Sequence, residues 1–374
     1  MYVAVKGGET AIAASLDLLA AARRGSESER EIQVAQIREQ LGLLVDRVMA
    51  EGSLYDPELA ALALKQARGD AIEATFLLRA YRSTLPRLGY SEPLDTGKME
   101  VRRRISAIFK DLPGGQVLGP TYDYTQRLLD FNLLHKTDNK PATMPSGEWT
   151  WEHPDGTRDD TLPPALKALD AQGLIEQDVP SEGDPEPNDI TRKPPAYPMN
   201  RATRMQMLSR ADEGWVLGMG YSSQRGYANS HPFAGEIRVG KTPLTLVPDE
   251  LGFPIEIGEV ELTECQMVTQ FGGSAKALPQ FTRGYGLVFG EGERKAMAMS
   301  IVDRVLRADE FGEDIVSPAQ QQEFMLPHGD NVEASGFVQH LKLPHYVDFE
   351  TEMQMVRALR ESFAKRQEQE QGHE

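Results

Sequence analysis

The chain has 374 residues, a formal net charge of −17, 40% hydrophobic residues and a single cysteine, Cys265. This acidic balance argues against broad binding to nucleic acid or to anionic membranes, and no apolar run reaches the roughly 18 residues of a membrane span. One cysteine excludes an intrachain disulfide and any cysteine-rich zinc or iron–sulfur site within the chain, so we predict a cytoplasmic protein.

Residues 1–135 are predicted to form a mainly helical domain that binds a partner. Apolar residues recur every three or four positions over residues 34–48, which indicates one buried helical stripe. Asp56-Pro57 supplies a helix cap and a favourable first residue, and Gly69-Asp70 repeats the stop-and-start signal. The pattern is typical of helices that pack as a bundle, on themselves or on a partner.

A basic run follows within this domain. It holds eight basic and three acidic residues, a local charge of +5 in an acidic chain. The basic residues are Arg79, Arg82, Arg87, Lys98, Arg102, Arg103, Arg104 and Lys110. Such a run is commonly a solvated helix face, but it could also meet a polyphosphate or an acidic partner, and both interpretations stay open.

The remaining chain divides by composition. Residues 136–200 hold eleven of the 24 prolines and are predicted to be a linker or insertion, with one short helix near residues 165–171. Residues 201–374 are predicted to form a mixed domain, so that the fold class is α+β with a mainly antiparallel sheet. The predicted elements are strands at Trp215–Tyr221, Glu236–Val239, Leu244–Val247 and Ile255–Leu262, and helices at Glu291–Ala308 and from Thr351 onward.

Two segments of the C-terminal domain offer candidate substrate contacts. Arg283 begins the glycine-rich run 283–290, which precedes a helix and either approaches an anion or packs closely beside the sheet. The run lacks the spacing of a P-loop or of a dinucleotide fingerprint. The polar loop 223–236 carries Arg225 and His231, and loops held by a rigid sheet often bind ligands, although a single loop histidine is more often only hydrogen-bonded.

A pair of histidines near the C-terminus is the strongest candidate for metal chemistry. His340 and His345 are five residues apart, which is not a helical spacing, and Pro344 forces a bend between them. The two imidazoles could therefore converge on one point. Because zinc commonly takes four ligands, such a pair indicates either an open catalytic site or a site completed by another chain. Two surface or packing histidines on a loop are the alternative.

Several segments resemble one known family, the I subunits of the carbon–phosphorus lyase core complex. The similarity extends nearly from end to end, apart from residues of about 136–186 and those after Arg366. The segments that carry it are Met1–Glu9, Leu112–Gln116, Leu118–Tyr124, His231–Arg238, Phe281–Gly290, Glu293–Met299 and His340–Phe349.

The resemblance implies a role in bacterial phosphonate use under phosphate starvation. Subunits of this family join G, H, J and K partners in a dimeric core assembly, in which the I subunit is present in two copies. With the G, H and L subunits they are associated with forming α-D-ribose 1-methylphosphonate 5-triphosphate from ATP and methylphosphonate, with release of adenine. Similar subunits alone are described as purine nucleosidases that act on ATP or GTP.

The resemblance also implies zinc. The family's two zinc-binding histidines from this subunit correspond to His340 and His345, and a histidine of the J subunit completes the protein ligands. We further assign His328 and Asp330 as candidate catalytic residues, and Arg225, His231 and Arg283 as candidate substrate contacts. Asp330 and Asp348 could also orient the two imidazoles.

Two other functions remain compatible with the sequence. The chain could be mainly a scaffold that contributes zinc ligands to a site shared with the J subunit, while the chemistry takes place elsewhere. It could also be a metal-dependent hydrolase that acts alone, although the small number of ligands argues against this.

Overall fold

The structure is a computed structural model that describes residues 7–134, 162, 164–177, 188–227, 231–274 and 277–371. The chain divides into two compact units. One comprises the described residues of Met1–Glu31 and Val332–Glu374, and the other comprises those of Ile32–Asn331. The predicted α+β fold class is confirmed, whereas the predicted domain boundaries at residues 135 and 200 stay predictions.

The helices are α1 Gly8–Arg24, α2 Val34–Gln40, α3 Gly42–Gly52, α4 Pro57–Gln66, α5 Ala71–Arg82, α6 Lys167–Asp170, α7 Arg201–Arg210, α8 Glu213–Ser222, α9 Glu293–Val305, α10 Gln322–Met325, α11 Asn331–His340 and α12 Tyr346–Gln371. The strands are β1 Glu100–Ile105, β2 Phe233–Leu246, β3 Ile255–Ser274 and β4 Ala277–Phe289. They form one antiparallel sheet in the order β1-β2-β3-β4. No helix in the described ranges combines the length and apolar character that crossing a bilayer requires.

Helices α2 to α5 form the predicted bundle, and their boundaries follow the predicted signals. Asp56 accepts a hydrogen bond from the Leu59 N–H at 2.9 Å and caps α4. Asp70 accepts one from the Ile72 N–H at 2.9 Å and caps α5. The predicted single helix over residues 34–48 is divided at Leu41 into α2 and α3, but its apolar stripe still forms the buried core of the bundle.

One predicted element is wrong. Trp215–Tyr221 was predicted as a strand but lies in α8, where Asp212 accepts a hydrogen bond from the Trp215 N–H at 2.8 Å and caps the helix. A short apolar run with little polar alternation fits a buried helix as well as a strand, and the cap decides between them. The mainly helical N-terminal region also contributes β1, which pairs with β2 at the sheet edge.

The other predicted elements are confirmed, with longer boundaries in the sheet. The two predicted strands Glu236–Val239 and Leu244–Val247 belong to the single strand β2, which ends at Leu246, and β3 continues beyond the predicted end at Leu262. Helices α9 and α12 lie where helices were predicted, and α6 coincides with the short helix predicted near residues 165–171. Much of the predicted linker 136–200 lies outside the described residues.

The helix α9 packs against β4 through two glycines that allow unusually close contact. A Cβ atom on Gly284 would lie 1.7 Å from the Ser300 carbonyl oxygen, and one on Gly286 would lie 2.0 Å from the Ala296 carbonyl oxygen. Both distances are shorter than any real contact, so only glycine fits at these positions. The glycine-rich run 283–290 therefore serves close backbone packing beside the sheet, one of its two predicted roles.

We expect Gly286→Ala to lower the free energy of unfolding by roughly 3 kcal/mol or more, because α9 must move away from β4 to admit the methyl group. Gly218→Ala, in α8, is the matched control, since a Cβ there meets no atom within 4 Å. It should change stability by less than about 1 kcal/mol. Urea unfolding of the three proteins measures both effects, and equal midpoints would contradict the packing argument.

A half-buried carboxyl group of α3, beside the residues that lead into α9, predicts pH-dependent stability. Burial raises the pKa of Asp46 from 3.8 to about 6, although its carboxylate accepts the Glu291 N–H at 2.9 Å. Between these values the folded chain holds a proton that the unfolded chain has lost, so stability contributed by this group falls as pH rises from about 4 to about 6.

Asp46→Asn keeps the acceptor oxygen but removes the titration. Relative to this variant, the wild-type protein should therefore lose free energy of unfolding as the pH is raised through that window. Denaturant titrations of both proteins across the window test this. A difference between them that stays constant with pH would show that Asp46 does not titrate as described.

Candidate functional site

The predicted histidine pair is brought together at one helix junction. His340 is the last residue of α11, His345 immediately precedes α12, and Pro344 lies in the turn between them. The ring centres are 5.2 Å apart and the ring planes meet at 76°. Both histidines are half-buried. The two imidazole rings are therefore adjacent across the bend, and their convergence on one metal ion stays a prediction.

Backbone carbonyls orient both rings. The Nδ1 atom of His340 contacts the Phe337 carbonyl oxygen, and that of His345 contacts the Leu343 carbonyl oxygen at 2.6 Å. Because a carbonyl only accepts, each Nδ1 carries the proton in a neutral ring, and each Nε2 keeps its lone pair. These carbonyls thus take the orienting role that was assigned to the carboxylates of Asp330 and Asp348.

The geometry of the pair fits zinc. Two imidazoles that bind one tetrahedral zinc through Nε2 at about 2.0–2.1 Å have ring centres about 5 Å apart, close to the separation in this chain. The same distance also suits an ordinary edge-to-face ring contact. Within the described ranges, no group of three or more histidine, cysteine, aspartate or glutamate side chains could hold a metal ion. The pair is therefore an incomplete ligand set as far as those ranges extend.

The surface beside the histidine pair is apolar. Around the α11–α12 junction, five large hydrophobic side chains are between 61% and 75% exposed. They are Phe337, Val338, Leu341, Tyr346 and Val347. Exposed apolar residues concentrated in one stretch are typical of a surface that another protein covers.

A second candidate site is a cleft of about 720 Å³ between α8 and α9. Two of the three predicted substrate contacts, Arg225 and His231, line it. A π-helical turn over residues 223–227 continues α8 and carries Arg225 to the rim. The full lining consists of Leu217, Gly220, Tyr221, Gln224, Arg225, His231, Pro232, Arg294, Met297, Ala298 and Ile301.

Three polar lining residues were not assigned to a site by the sequence analysis. Arg294, Tyr221 and Gln224 join Arg225 and His231 at the cleft. Arg294 had a signal, since it lies three and seven positions before Met297 and Ile301 and therefore on the same side of α9. Tyr221 was assigned to a strand, so its position beside the π-helical turn was not accessible from the pattern.

The third predicted substrate contact, Arg283, lies elsewhere. It is 8% exposed, does not line the cleft and donates to Asp170 at 3.2 Å and to the Glu176 backbone carbonyl. These contacts join β4 to the segment around α6. They favour a structural role, and the substrate contact stays a prediction.

The two predicted catalytic residues lie in different surroundings. Asp330 is 5% exposed and accepts two hydrogen bonds from one nitrogen of Arg79, at 2.7 and 2.8 Å. It therefore holds α5 to the segment before α11. His328 is exposed and packs edge-on against Phe324, with ring centres 5.2 Å apart. A catalytic role for either residue stays a prediction.

The basic run is largely used inside the fold. Arg104 is fully buried and pairs with Glu236 at 2.6 Å, while Arg103 is 3% exposed and pairs with Glu293 at 3.1 Å. Both arginines lie on β1. Neither a solvated helix face nor an open phosphate patch describes these residues, because tertiary ion pairs neutralise them.

Comparisons with known proteins agree with the resemblance. A family described as "Bacterial phosphonate metabolism protein (PhnI)" matches residues 1–363. A relative from Rhizobium meliloti (strain 1021), named α-D-ribose 1-methylphosphonate 5-triphosphate synthase subunit PhnI, is 57% identical over 360 residues, which cover 96% of this chain and 95% of the relative. The subunit of the same name from Escherichia coli (strain K12) is 54% identical over the full length of both chains.

A third relative is more distant. The putative C-P lyase subunit protein HtxH of Stutzerimonas stutzeri is 42% identical over 358 residues, or 95% of each chain. The family match and all three relatives span nearly the whole sequence, including both candidate sites. The chain therefore belongs to the PhnI family of bacterial phosphonate metabolism proteins.

Proposed function

We propose that this protein is the I subunit of a carbon–phosphorus lyase complex and takes part in forming α-D-ribose 1-methylphosphonate 5-triphosphate. The observation that carries the proposal is identity of 54–57% with two relatives that bear the name of this synthase subunit, over 95–100% of each chain. Because this similarity extends over nearly the whole of each chain, we assign the relatives' role to this chain.

The proposed reaction exchanges one bond at C1′ of ATP for another. The bond from C1′ to adenine N9 breaks, a bond from C1′ to a methylphosphonate oxygen forms, and the departing adenine ring takes up one proton. Breaking an N-glycosidic bond develops positive charge on the sugar, as in glycoside hydrolysis. The protein must therefore hold two anions close to the sugar, and arginine suits that task because its planar fork binds phosphate oxygens.

The residues proposed for these tasks differ in their support. Arg225 and His231 line one cleft, which supports a shared role in binding an anionic substrate. Arg283, His328 and Asp330 remain candidates from the sequence. Asp330 already binds Arg79, so it would act by positioning neighbouring elements more readily than by moving a proton.

We also propose that His340 and His345 bind a zinc ion that a histidine of the J subunit helps to hold. The free Nε2 atoms and the ring separation support this assignment, and the exposed apolar residues at the same junction support a partner at that surface. When bound, zinc would supply positive charge for an anionic oxygen, or a firm link between subunits. The protein's own contribution is to hold both rings in one tautomer.

The further partners are proposals of the same kind. We expect G, H and K subunits beside J in an assembly that holds two copies of this chain, the L subunit as a functional partner, and a cytoplasmic location. A mainly structural role in that assembly is the second candidate function. The segment 118–134 favours it, because eight large hydrophobic side chains there are between 45% and 83% exposed. They are Leu118, Tyr122, Tyr124, Leu128, Leu129, Phe131, Leu133 and Leu134.

Purified subunits distinguish the two functions. With G, H and L present, ATP and methylphosphonate should yield free adenine, measured by chromatography, and the chain alone should release purine from ATP or GTP more slowly. Omitting the phosphonate is the control for simple hydrolysis. If adenine is released equally well from the assembly without this subunit, the enzymatic proposal is wrong and the structural role stands.

The zinc assignment predicts a loss of metal. His340→Ala and His345→Ala should each weaken zinc binding by the assembly by at least about tenfold, since removal of even an outer partner of a ligand has an effect of that size. Their folds should persist, because both side chains lie at an exposed junction. His231→Ala is the matched control and should retain zinc. Elemental analysis measures the zinc content of the assembly. A zinc content equal to that of the wild type in both variants would contradict the assignment of His340 and His345 as ligands.

A further inference from the structure

We propose that the cleft between α8 and α9 is a binding site for an adenine nucleotide, with the base against an apolar wall and the phosphates at Arg225 and Arg294. The assignment is argued from the cleft itself. Its identification with the site for the ATP substrate rests on the proposed function. Both cleft-forming helices belong to the unit Ile32–Asn331, so the site does not depend on the histidine pair.

The size and wall of the cleft suit a flat apolar group. Its volume of about 720 Å³ lies within the range of roughly 300–1,000 Å³ that small-molecule sites occupy. Leu217 of α8 and Met297 and Ile301 of α9 supply aliphatic surface. Tyr221 adds an aromatic ring that is 59% exposed. A purine stacks well on such surfaces, because every base has an apolar face that aromatic and aliphatic side chains can cover.

The rim of the cleft carries positive charge. The Arg294 side chain is 73% exposed, and its Nε lies 3.2 Å from a Glu213 carboxylate oxygen. Arg225 is exposed and donates to the Tyr221 hydroxyl. His231 completes the polar rim. In a chain with a net charge of −17, two exposed guanidinium groups on one cleft favour a polyanion at this place over most others.

A half-buried amide between the wall and the rim selects the base. Gln224 lines the cleft, and its Oε1 atom is buried without a hydrogen-bond donor in the described ranges. Such an atom is destabilising until a donor reaches it. The terminal torsion of glutamine is broad, so the amide can turn toward the cleft at small energetic cost. A glutamine amide matches adenine, giving its acceptor to N6 and its donor to N7, whereas guanine presents two acceptors there.

The arginines alone would also bind a polyphosphate that lacks a base. The full-length chain is therefore titrated calorimetrically with ATP, GTP and tripolyphosphate. We expect ATP to bind more tightly than GTP, and both to bind more tightly than tripolyphosphate. Tripolyphosphate binding equal to that of ATP would overturn the base site, and the absence of ATP binding at millimolar concentration would overturn the whole proposal.

Variants separate the two parts of the site. Arg225→Gln and Arg294→Gln should each weaken ATP and tripolyphosphate about tenfold or more, since each removes a charge-assisted contact. Gln224→Met should weaken ATP severalfold and leave tripolyphosphate unchanged, so that the preference over GTP is lost. Arg357→Gln, at an arginine that is 63% exposed in α12, is the matched control and should bind as wild type. Unchanged ATP affinity in both cleft arginine variants would overturn the proposal.

Failure of the cleft assignment can be distinguished from failure of the proposed synthase function. If the wild-type assembly releases no adenine but the arginine variants lose ATP binding, the cleft assignment stands and the synthase proposal fails. If the assembly releases adenine and both arginine variants keep the wild-type KM for ATP, the cleft is not the substrate site and the synthase proposal stands.

Discussion

The close contact between α9 and β4 is the constraint on which the rest of the larger unit depends. Gly284 and Gly286 allow the helix backbone to lie directly on the strand, which sets the rotation of α9 about its axis. Lys295 is then fully buried on one side, while Arg294 faces solvent on another. Gly220 of α8 lies against α9 at an ordinary van der Waals distance, since a Cβ there would be 3.4 Å from the Ala298 carbonyl oxygen. The candidate cleft is a consequence of these two contacts.

Much of the positive charge in this fold is buried, although charged side chains usually lie at the surface. Several arginines are buried in pairs with carboxylates, as in Arg104 with Glu236 and Arg238 with Glu264, so that much of the positive charge neutralises partners inside the molecule. Many of the acidic residues that remain lie on the surface. A buried pair adds little net stability compared with an apolar pair, but removing one partner leaves an unpaired charge, so such pairs hold the strands in one register.

Local signals were predictable from the sequence, whereas tertiary assignments were not. Asp56 and Asp70 cap helices because the cap depends on the two or three residues that follow. The histidine pair was found because the proline bend lies within the same short segment. Arg283 and Arg104 could not be assigned, since their carboxylate partners lie far away in the chain and only the folded sheet brings them together. Asp212 is a residue type that caps helices, but the apolar run after it is also compatible with a strand, so the sequence did not distinguish the two.

The carbonyl contacts of the two imidazoles have a consequence for recognition. Each ring is tied to a backbone oxygen only two or three residues away, so its orientation is encoded within one short stretch of chain. Little rotational freedom is left to lose when a third group approaches, and preorganisation of this kind strengthens association without any added contact.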